Sequence, residues 1–398
     1  MSEGIENIQA ALRAEGIDAW LFYDFRGSDP LAYRLLGLPV TELTRRWFYC
    51  LPARATPRAL VSAVEPNALA VLPGERIVYR SWSELRDGLQ TLLRGLGRVA
   101  MQYSPECAIP YVSRVDAGTV ELVRACGIEV VSSADLVQRC EAVWSREQYA
   151  SHCRAARGLR HTVETTFAHI ATTVRAGRVL TELAVQDFMM EQLRQAGLTT
   201  GTPPIVAADA HSANPHYQAA AASNAAIRRG SFVLLDLWAK EPDGVYADIT
   251  WTGYVGEAVP TAYATVFRMV RNARDAAVAL VQEAARSGRA VSGAEVDDAA
   301  RGVIRRAGYG DYFIHRTGHS IGVEVHGNGA NVDRFENPDH RRLLPGTCFS
   351  IEPGIYLPGE FGIRSEVDVY LADRDAEVTG GPPQTAVVAL LATRTGGA

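Results

Sequence analysis

Two histidines, two glutamates and an arginine stand out within Arg316–Asp368. They lie in His319-Ser-Ile-Gly-Val-Glu-Val-His326, Phe349-Ser-Ile-Glu352-Pro-Gly-Ile-Tyr356 and Phe361-Gly-Ile-Arg364-Ser-Glu366. Glycines and short β-prone runs surround them, and charges in apolar sequence are buried only when paired or metal-bound. Two further carboxylates sit upstream, Asp236 in Phe232-Val-Leu-Leu-Asp236-Leu-Trp and Asp248 in Tyr246-Ala-Asp248-Ile-Thr-Trp. Four carboxylates and His319 form a hard, oxygen-rich ligand set whose negative charges balance two divalent cations. Such a set suits manganese, cobalt or zinc better than copper(I) or an iron–sulfur cluster. Carboxylates can bridge two metals a few Å apart, and such a pair activates a shared water for hydrolysis. His216 and His326 are then free to hydrogen-bond a substrate carbonyl or a tetrahedral oxyanion. His315 is either a supporting group or simply packed, and His152, His161, His169, His211 and His340 receive no role.

Two hairpins must position these groups. In the first, Ser231–Lys240 and Val245–Tyr254 flank the turn Glu241-Pro-Asp-Gly244, in which proline pre-sets φ and glycine accepts a positive one. Folding there places Asp236 and Asp248 roughly opposite each other, within about 5 Å. Carboxylates that close repel unless one is protonated or a cation lies between them. The second hairpin leads out through Cys348–Glu352, turns at Pro358–Gly362 and returns through Ile363–Tyr370, making Glu352 and Glu366 neighbours. Arg364 shares a strand face with Glu366.

The remaining chain reads as an α/β protein. Strand-like runs at 18–23, 46–51, 59–63, 76–79, 98–103 and 128–131 alternate with helical ones at 5–16 and 83–96. This layer holds no glycine-rich nucleotide motif. A helical, charged connector follows, then a helix capped by Thr181 that stops at Gly197, and a long helix over 261–287. Ser292-Gly-Ala-Glu295 has capping-box spacing ahead of a helix ending at Gly308. The domains expected are 1–135, a connector at 136–160, and 161–398.

With 398 residues two domains are the default, and a net charge of -5 offers no reason to expect nucleic acid or an anionic membrane as partner. No apolar stretch approaches the ~20 residues of a membrane helix, and the start lacks the pattern of a secretory signal. Six scattered cysteines without a Cys-x-x-Cys pair point to reduced thiols in a cytoplasmic protein.

Pro215-His216-Tyr217, Asp236, Asp248-Ile-Thr, His319-Ser-Ile-Gly, His326, Ile351-Glu352-Pro-Gly-Ile-Tyr356 and Arg364-Ser-Glu366 resemble the pita-bread metallopeptidases. Within these, the likeness is to the proline-specific branch, prolidase (Xaa-Pro dipeptidase) and aminopeptidase P. The resemblance implies an N-terminal creatinase-like α/β domain and a C-terminal pita-bread domain of α+β type. It implies that Asp236 chelates one metal, His319 and Glu352 the other, and that Asp248 and Glu366 bridge them. A bridging hydroxide would attack the scissile carbonyl, with Glu352 as proton acceptor. His216 and His326 would bind substrate and stabilise the intermediate, and Arg364 would order the site or meet the substrate. Mn²⁺ is the first expectation, with Zn²⁺ or Co²⁺ as alternatives, and a homodimer follows by the same likeness.

The chain departs from the family's pattern at three places. Trp238 follows Asp236-Leu where a small residue and glycine are common, Trp251 stands where arginine is usual, and Gly327 follows His326 where glutamate is frequent. No ligand is lost, so the expected reaction is hydrolysis of the bond before proline, in a small peptide with proline second and foremost in dipeptides. A dipeptide ends in a carboxylate at the site, and an arginine closing the pocket would select it. Arg46 in Thr44-Arg45-Arg46-Trp47 and Arg364 are the candidates, Arg46 preferred. The alternatives are an aminopeptidase P acting on longer peptides, a metal-free creatinase-like hydrolase, and a non-enzymatic binding module.

Overall fold

The computed structural model describes residues 2–39 and 43–393, and its contacts divide the chain into two units, Met1–Glu141 and Ala142–Ala398. The first unit contains α1 (Ser2–Ala14), β1 (Ala19–Asp24), α2 (Pro30–Leu36), β2 (Trp47–Pro52), β3 (Arg58–Ser62) and β4 (Glu75–Tyr79). It continues with α3 (Trp82–Leu92), β5 (Arg98–Met101), α4 (Ala117–Arg124), β6 (Glu129–Ser132) and α5 (Ala134–Val137). Its strands form one mixed sheet in the order β4-β3-β2-β1-β5-β6. Every residue of β1 is buried, as in a central strand covered on both faces, and such strands read as unbroken apolar runs. Each of the strand-like runs read from the sequence is a strand here. The helix α2 is not foreseen by periodicity, being only seven residues long. Local chemistry makes it: Asp29 accepts from Ala32 N–H, proline opens the first turn, and Gly37 ends it at φ 61°. Arg46, entering β2, lies 5.7 Å from the Phe25 ring and 5.6 Å from the Trp82 ring, within cation–π range.

The second unit opens with α6 (Arg146–Arg175), β7 (Leu180–Thr181), α7 (Glu182–Gln195), β8 (Ile205–Ala208) and β9 (Ala226–Ile227). The hairpin β10 (Phe232–Ala239) and β11 (Ala247–Tyr254) follows, then α8 (Thr261–Ser287) and α9 (Gly293–Arg306). The chain then forms β12 (Ser320–Ile321), β13 (Thr347–Ile351), β14 (Gly354–Leu357), β15 (Phe361–Arg364), β16 (Val367–Leu371), β17 (Ala376–Val378) and β18 (Val388–Ala389). Helix α6 runs unbroken through the second half of the span read as a connector. Its Ala155, Leu159, Val163 and Phe167 share one core with residues of β10 and β11, so it is part of the second unit.

Three helix boundaries follow the local signals. Thr181 caps α7 through Ala184 N–H, Gly288 ends α8 at φ 70°, and Ser292 with Glu295 forms both halves of a capping box on α9.

Two four-stranded sheets, β18-β11-β10-β8 and β12-β13-β16-β17, carry the framework. Alternation along β10 divides the interior. Val233, Leu235 and Leu237 face the α6 and α7 core, whereas Phe232 and Leu234 join the core with α8 and β13–β16. Asp236 falls on the second face by the two-residue period, a carboxylate in a strand buried almost throughout. No helix among the described residues is long and apolar enough to cross a membrane.

Candidate metal centre

The first hairpin corrects one expectation. Asp236 and Asp248 are not opposite: Asp236 pairs with Thr250, and Asp248 with Trp238. The connection runs over residues 240–246, longer than the four-residue turn, and this shifts the register. The two carboxylates remain on one face, a diagonal apart, and Thr250 fills the place between. Its hydroxyl lies 3.0 Å from Asp236 Oδ1 and 2.7 Å from Glu366 Oε2.

The second hairpin is interrupted where its acids stand. β13 pairs with β16 as far as Ile351↔Val367, and β14 pairs with β15 from Gly354↔Arg364. Both ladders keep one register, so Glu352 and Glu366 face each other across the gap. Pro353 has no N–H to give the ladder. On the other edge of the strand, Glu352 N–H donates to Thr317 O at 2.7 Å, as Ser350 N–H does to His319 O at 2.8 Å. Those bonds tie the hairpin to the loop leading into His319. Gly318 is required there, because a Cβ would come 1.9 Å from Ser350 O.

His319 is 3 % exposed and its Nδ1 lies 3.1 Å from Ser320 O. A carbonyl can only accept, so Nδ1 carries the proton and the Nε2 lone pair is directed away from it. Nε2 is 3.6 Å from Asp248 Oδ2 and 3.4 Å from Glu352 Oε1. Ligand atoms of Asp248, His319 and Glu366 all fall within 4.8 Å of one another, and Asp236 joins them through Thr250.

The electrostatics of this cluster call for a cation. Burial, then Glu366 and Asp236, push the Asp248 carboxyl well above its ordinary range. Burial, then Glu352 and Asp236, do the same to Glu366. Glu352 is raised to about 7 by burial, with Arg364 opposing. His319 is held well below its ordinary value by burial and by neighbouring His326, which leaves its imidazole neutral and able to ligate. Asp248 Oδ1 is buried without a hydrogen-bond partner, in a structure where most buried polar atoms find one. A divalent ion among these oxygens and Nε2 would answer the repulsion and the orphaned oxygen together.

Arg364 is 3 % exposed and is occupied by the protein. Nη2 donates to Asp236 Oδ2, and Nε donates to Thr250 Oγ1 at 3.0 Å. Nη1 donates to Pro215 O at 3.2 Å and to Tyr356 hydroxyl at 3.1 Å. The chain of donors continues, since Tyr356 meets His315 Nε2 at 2.7 Å and His315 Nδ1 meets Arg316 O at 2.6 Å. All of these contacts are to groups of the protein itself. His315 is thus engaged at both ring nitrogens, and burial, then Arg364, lower its pKa to about 3. His326 is exposed, its ring 4.3 Å from that of His319. His216 is also exposed.

Several participants escape the sequence reading. Thr250 and Tyr356 lie inside motifs quoted above but carry no charge to draw notice. Asp368 Oδ2 accepts Asp248 N–H at 2.8 Å, and His152 Nε2 stands 3.8 Å from the same oxygen. Asp368 was detectable, two residues beyond Glu366 on the same strand face. His152 gave no signal, as its partners Tyr246 O and Thr379 Oγ1, each at 2.7 Å, are remote in sequence.

Residues 152–373 match metallopeptidase family M24. The chain is 30 % identical over 328 residues to the probable dipeptidase PepE of Mycobacterium tuberculosis, covering 82 % of this chain and 80 % of that protein. It is 39 % identical over 190 residues to the Xaa-Pro dipeptidase of Lactobacillus delbrueckii subsp. lactis, 47 % of each chain. The fold is similar to that of dipeptidase PepE from Mycobacterium ulcerans, with TM-score 0.73, 22 % identity, and coverage of 98 % and 97 % of the two chains. With this match over more than half of its length, the chain belongs to metallopeptidase family M24, the peptidases of the pita-bread fold.

Proposed function

We propose that this peptidase is a dinuclear-metal Xaa-Pro dipeptidase. The observation that carries the reading is the convergence of Asp248, His319 and Glu366, flanked by Asp236 and Glu352, around a buried carboxylate oxygen with no partner. The name of the Lactobacillus relative supports the proline-specific substrate. Asp236 would hold one ion, His319 and Glu352 the other, with Asp248 and Glu366 shared. When bound, the two ions supply an activated water and a polarised scissile carbonyl.

Glu352, whose Oε1 lies 3.4 Å from His319 Nε2, would accept the proton released in hydrolysis. A carboxylate held at the site can serve as that base. His216 and His326, exposed beside the buried cluster, donate to the substrate carbonyl and to the oxyanion that replaces it. Arg364 holds Asp236, Thr250 and Tyr356 in one arrangement, so it orders the wall of the site. Its engagement leaves Arg46 as the arginine proposed to select a dipeptide's carboxylate. Arg46→Ala would then lower the rate on Ala-Pro while sparing Ala-Pro-Ala, and an unchanged ratio of the two rates removes it from this role. The first unit is proposed to be the creatinase-like domain, and the assembly a cytoplasmic homodimer.

The deciding experiment is hydrolysis of Ala-Pro and Ala-Pro-Ala by metal-stripped protein, before and after addition of Mn²⁺. Metal-restored cleavage of Ala-Pro alone supports the assignment. Faster cleavage of the tripeptide would make the enzyme an aminopeptidase P, and cleavage of neither with metal bound would exclude the proline-specific reading.

A further inference from the structure

One buried carboxylate in the second unit has no part in the site described so far. Glu182, the first residue of α7, is completely buried. Its carboxylate accepts from Ala208 N–H, Tyr217 hydroxyl and Ala225 N–H, each at 2.7 Å. His211 Nδ1 closes the shell at 2.9 Å, and the His211 ring stacks on Tyr217 at 4.4 Å between centroids. His211 and Tyr217 are the two side chains among these four partners, and their stacked rings close the shell around a carboxylate held out of water. All four belong to one stretch, residues 208–225, and that stretch carries His216.

The stretch needs external anchoring. It follows β8 through a short 3₁₀ turn, and Asp209 adopts φ 50°, a left-handed conformation that surrounding contacts must hold. Its other side is fastened to β15, where Gly362 N–H donates to Ser212 Oγ at 2.9 Å and Arg364 Nη1 to Pro215 O at 3.2 Å. A side chain at Gly362 would put Cβ 2.1 Å from Ser212 O, so the two backbones are in close contact. The His216 ring is exposed, and its location is therefore set by the backbone of this stretch. That backbone is strung between the arginine that orders the metal-ligand wall and the Glu182–His211 pair.

We propose that Glu182 and His211 are positioning residues for His216: the pair fixes segment 209–217 so that the imidazole meets the substrate carbonyl. This rests on the role proposed for His216. Glu182 variants would strip a buried hub and can fail to fold. His211 is the better probe, because its side chain is 34 % exposed.

The test compares His211→Ala and His211→Asn, each alone and combined with His216→Ala, in the metal-loaded enzyme. The readouts are kcat and KM on Ala-Pro, bound metal, and amide hydrogen exchange across 209–217. His211→Ala is expected to lower kcat/KM by about 10- to 100-fold, the scale of a displaced catalytic group, with bound metal unchanged and faster exchange in 209–217. His211→Asn places an amide N–H where Nδ1 stood and should recover both rate and protection. With His216 already alanine, His211→Ala should cost little more. Equal losses in both backgrounds, or no recovery by asparagine, would overturn the proposal. If His216→Ala leaves the rate unaltered, it is the role of His216 that fails. Exchange then decides the positioning claim: faster exchange reversed by asparagine supports it, and unchanged exchange overturns it.

Discussion

The two acid-bearing hairpins of the second unit solve one problem in different ways. In β10–β11 the ladder is unbroken over eight residue pairs. Its carboxylates lie a diagonal apart, with the Thr250 hydroxyl as spacer. In the second hairpin the ladder stops between Ile351 and Gly354 and resumes in the same register, with Glu352 and Glu366 facing each other at the gap. The unbroken hairpin is a stiff wall between two cores. The interrupted one is bonded along its other edge to the histidine loop, as by Glu352 N–H to Thr317 O at 2.7 Å. Continuous pairing gives rigidity, while the β12-facing edge of β13 joins the histidine loop to the acids of the second hairpin.

The largest effect expected is on metal loading. Glu366→Ala removes a carboxylate shared by both proposed ions and should lower Ala-Pro hydrolysis by ~10³-fold or more, the scale of losing a catalytic group. Metal analysis should find both ions depleted. Asp236→Ala, on the unbroken wall, should leave about one ion per chain. Equal depletion in the two variants would break the distinction between the hairpins.

Thr250→Val should be smaller. It keeps the shape of the strand but removes the hydroxyl between Asp236 and Glu366 and the acceptor of Arg364 Nε. Supporting groups of this kind are typically worth about 10- to 100-fold in metal affinity, measurable by competition with a chelator. Unchanged affinity would mean that Arg364 alone orders the wall.

A pH series on metal-free protein tests the charge crowding shared by both hairpins. Asp248, Glu352 and Glu366 are all raised in the folded chain. A raised carboxyl stabilises the fold below its unfolded value and loses that contribution as pH climbs through the folded one. For Glu352 the window runs from 4.5 to about 7, and for the other two it extends well above their ordinary values. The Tm of metal-free protein should fall across this range, and Mn²⁺ should restore it. A Tm independent of pH would show that the acids are already neutralised within the protein.

The smallest effect belongs to the opposite face of the wall. Trp251 neighbours Thr250 but points toward α6, where Arg160 lies 4.1 Å from its ring centre. Trp251→Leu should cost roughly 0.5–1 kcal/mol from the lost cation–π contact, read by denaturant unfolding, with kcat unchanged. A fall in kcat would show that the faces of β11 are coupled.

Much of this architecture is local and was therefore legible. Helix α8 spans the predicted 261–287, and the caps at Thr181 and Ser292 form the bonds their residue types favour. Neighbouring residues alone decide such features. Helix α2 was missed because seven residues are too few for a helical period, although its Asp29, Pro30 and Gly37 are terminal signals. The register of the first hairpin was misjudged because it depends on how the whole 240–246 connection packs, not on the Pro-Asp-Gly turn within it.

The sequence by itself determined the candidate ligand types, their order along the chain and the two-hairpin device, because these depend on residue chemistry and on separations within one hairpin. Only the tertiary structure decided that Thr250 separates the first acid pair, that Arg364 is spent on Asp236 and Tyr356, and that Asp368 backs Asp248. It alone brought His211 to Glu182. Most of these contacts join residues brought together only when helices and sheets bury their apolar faces. The packing that satisfies those faces selects which polar groups meet, and separation along the chain carries no trace of it.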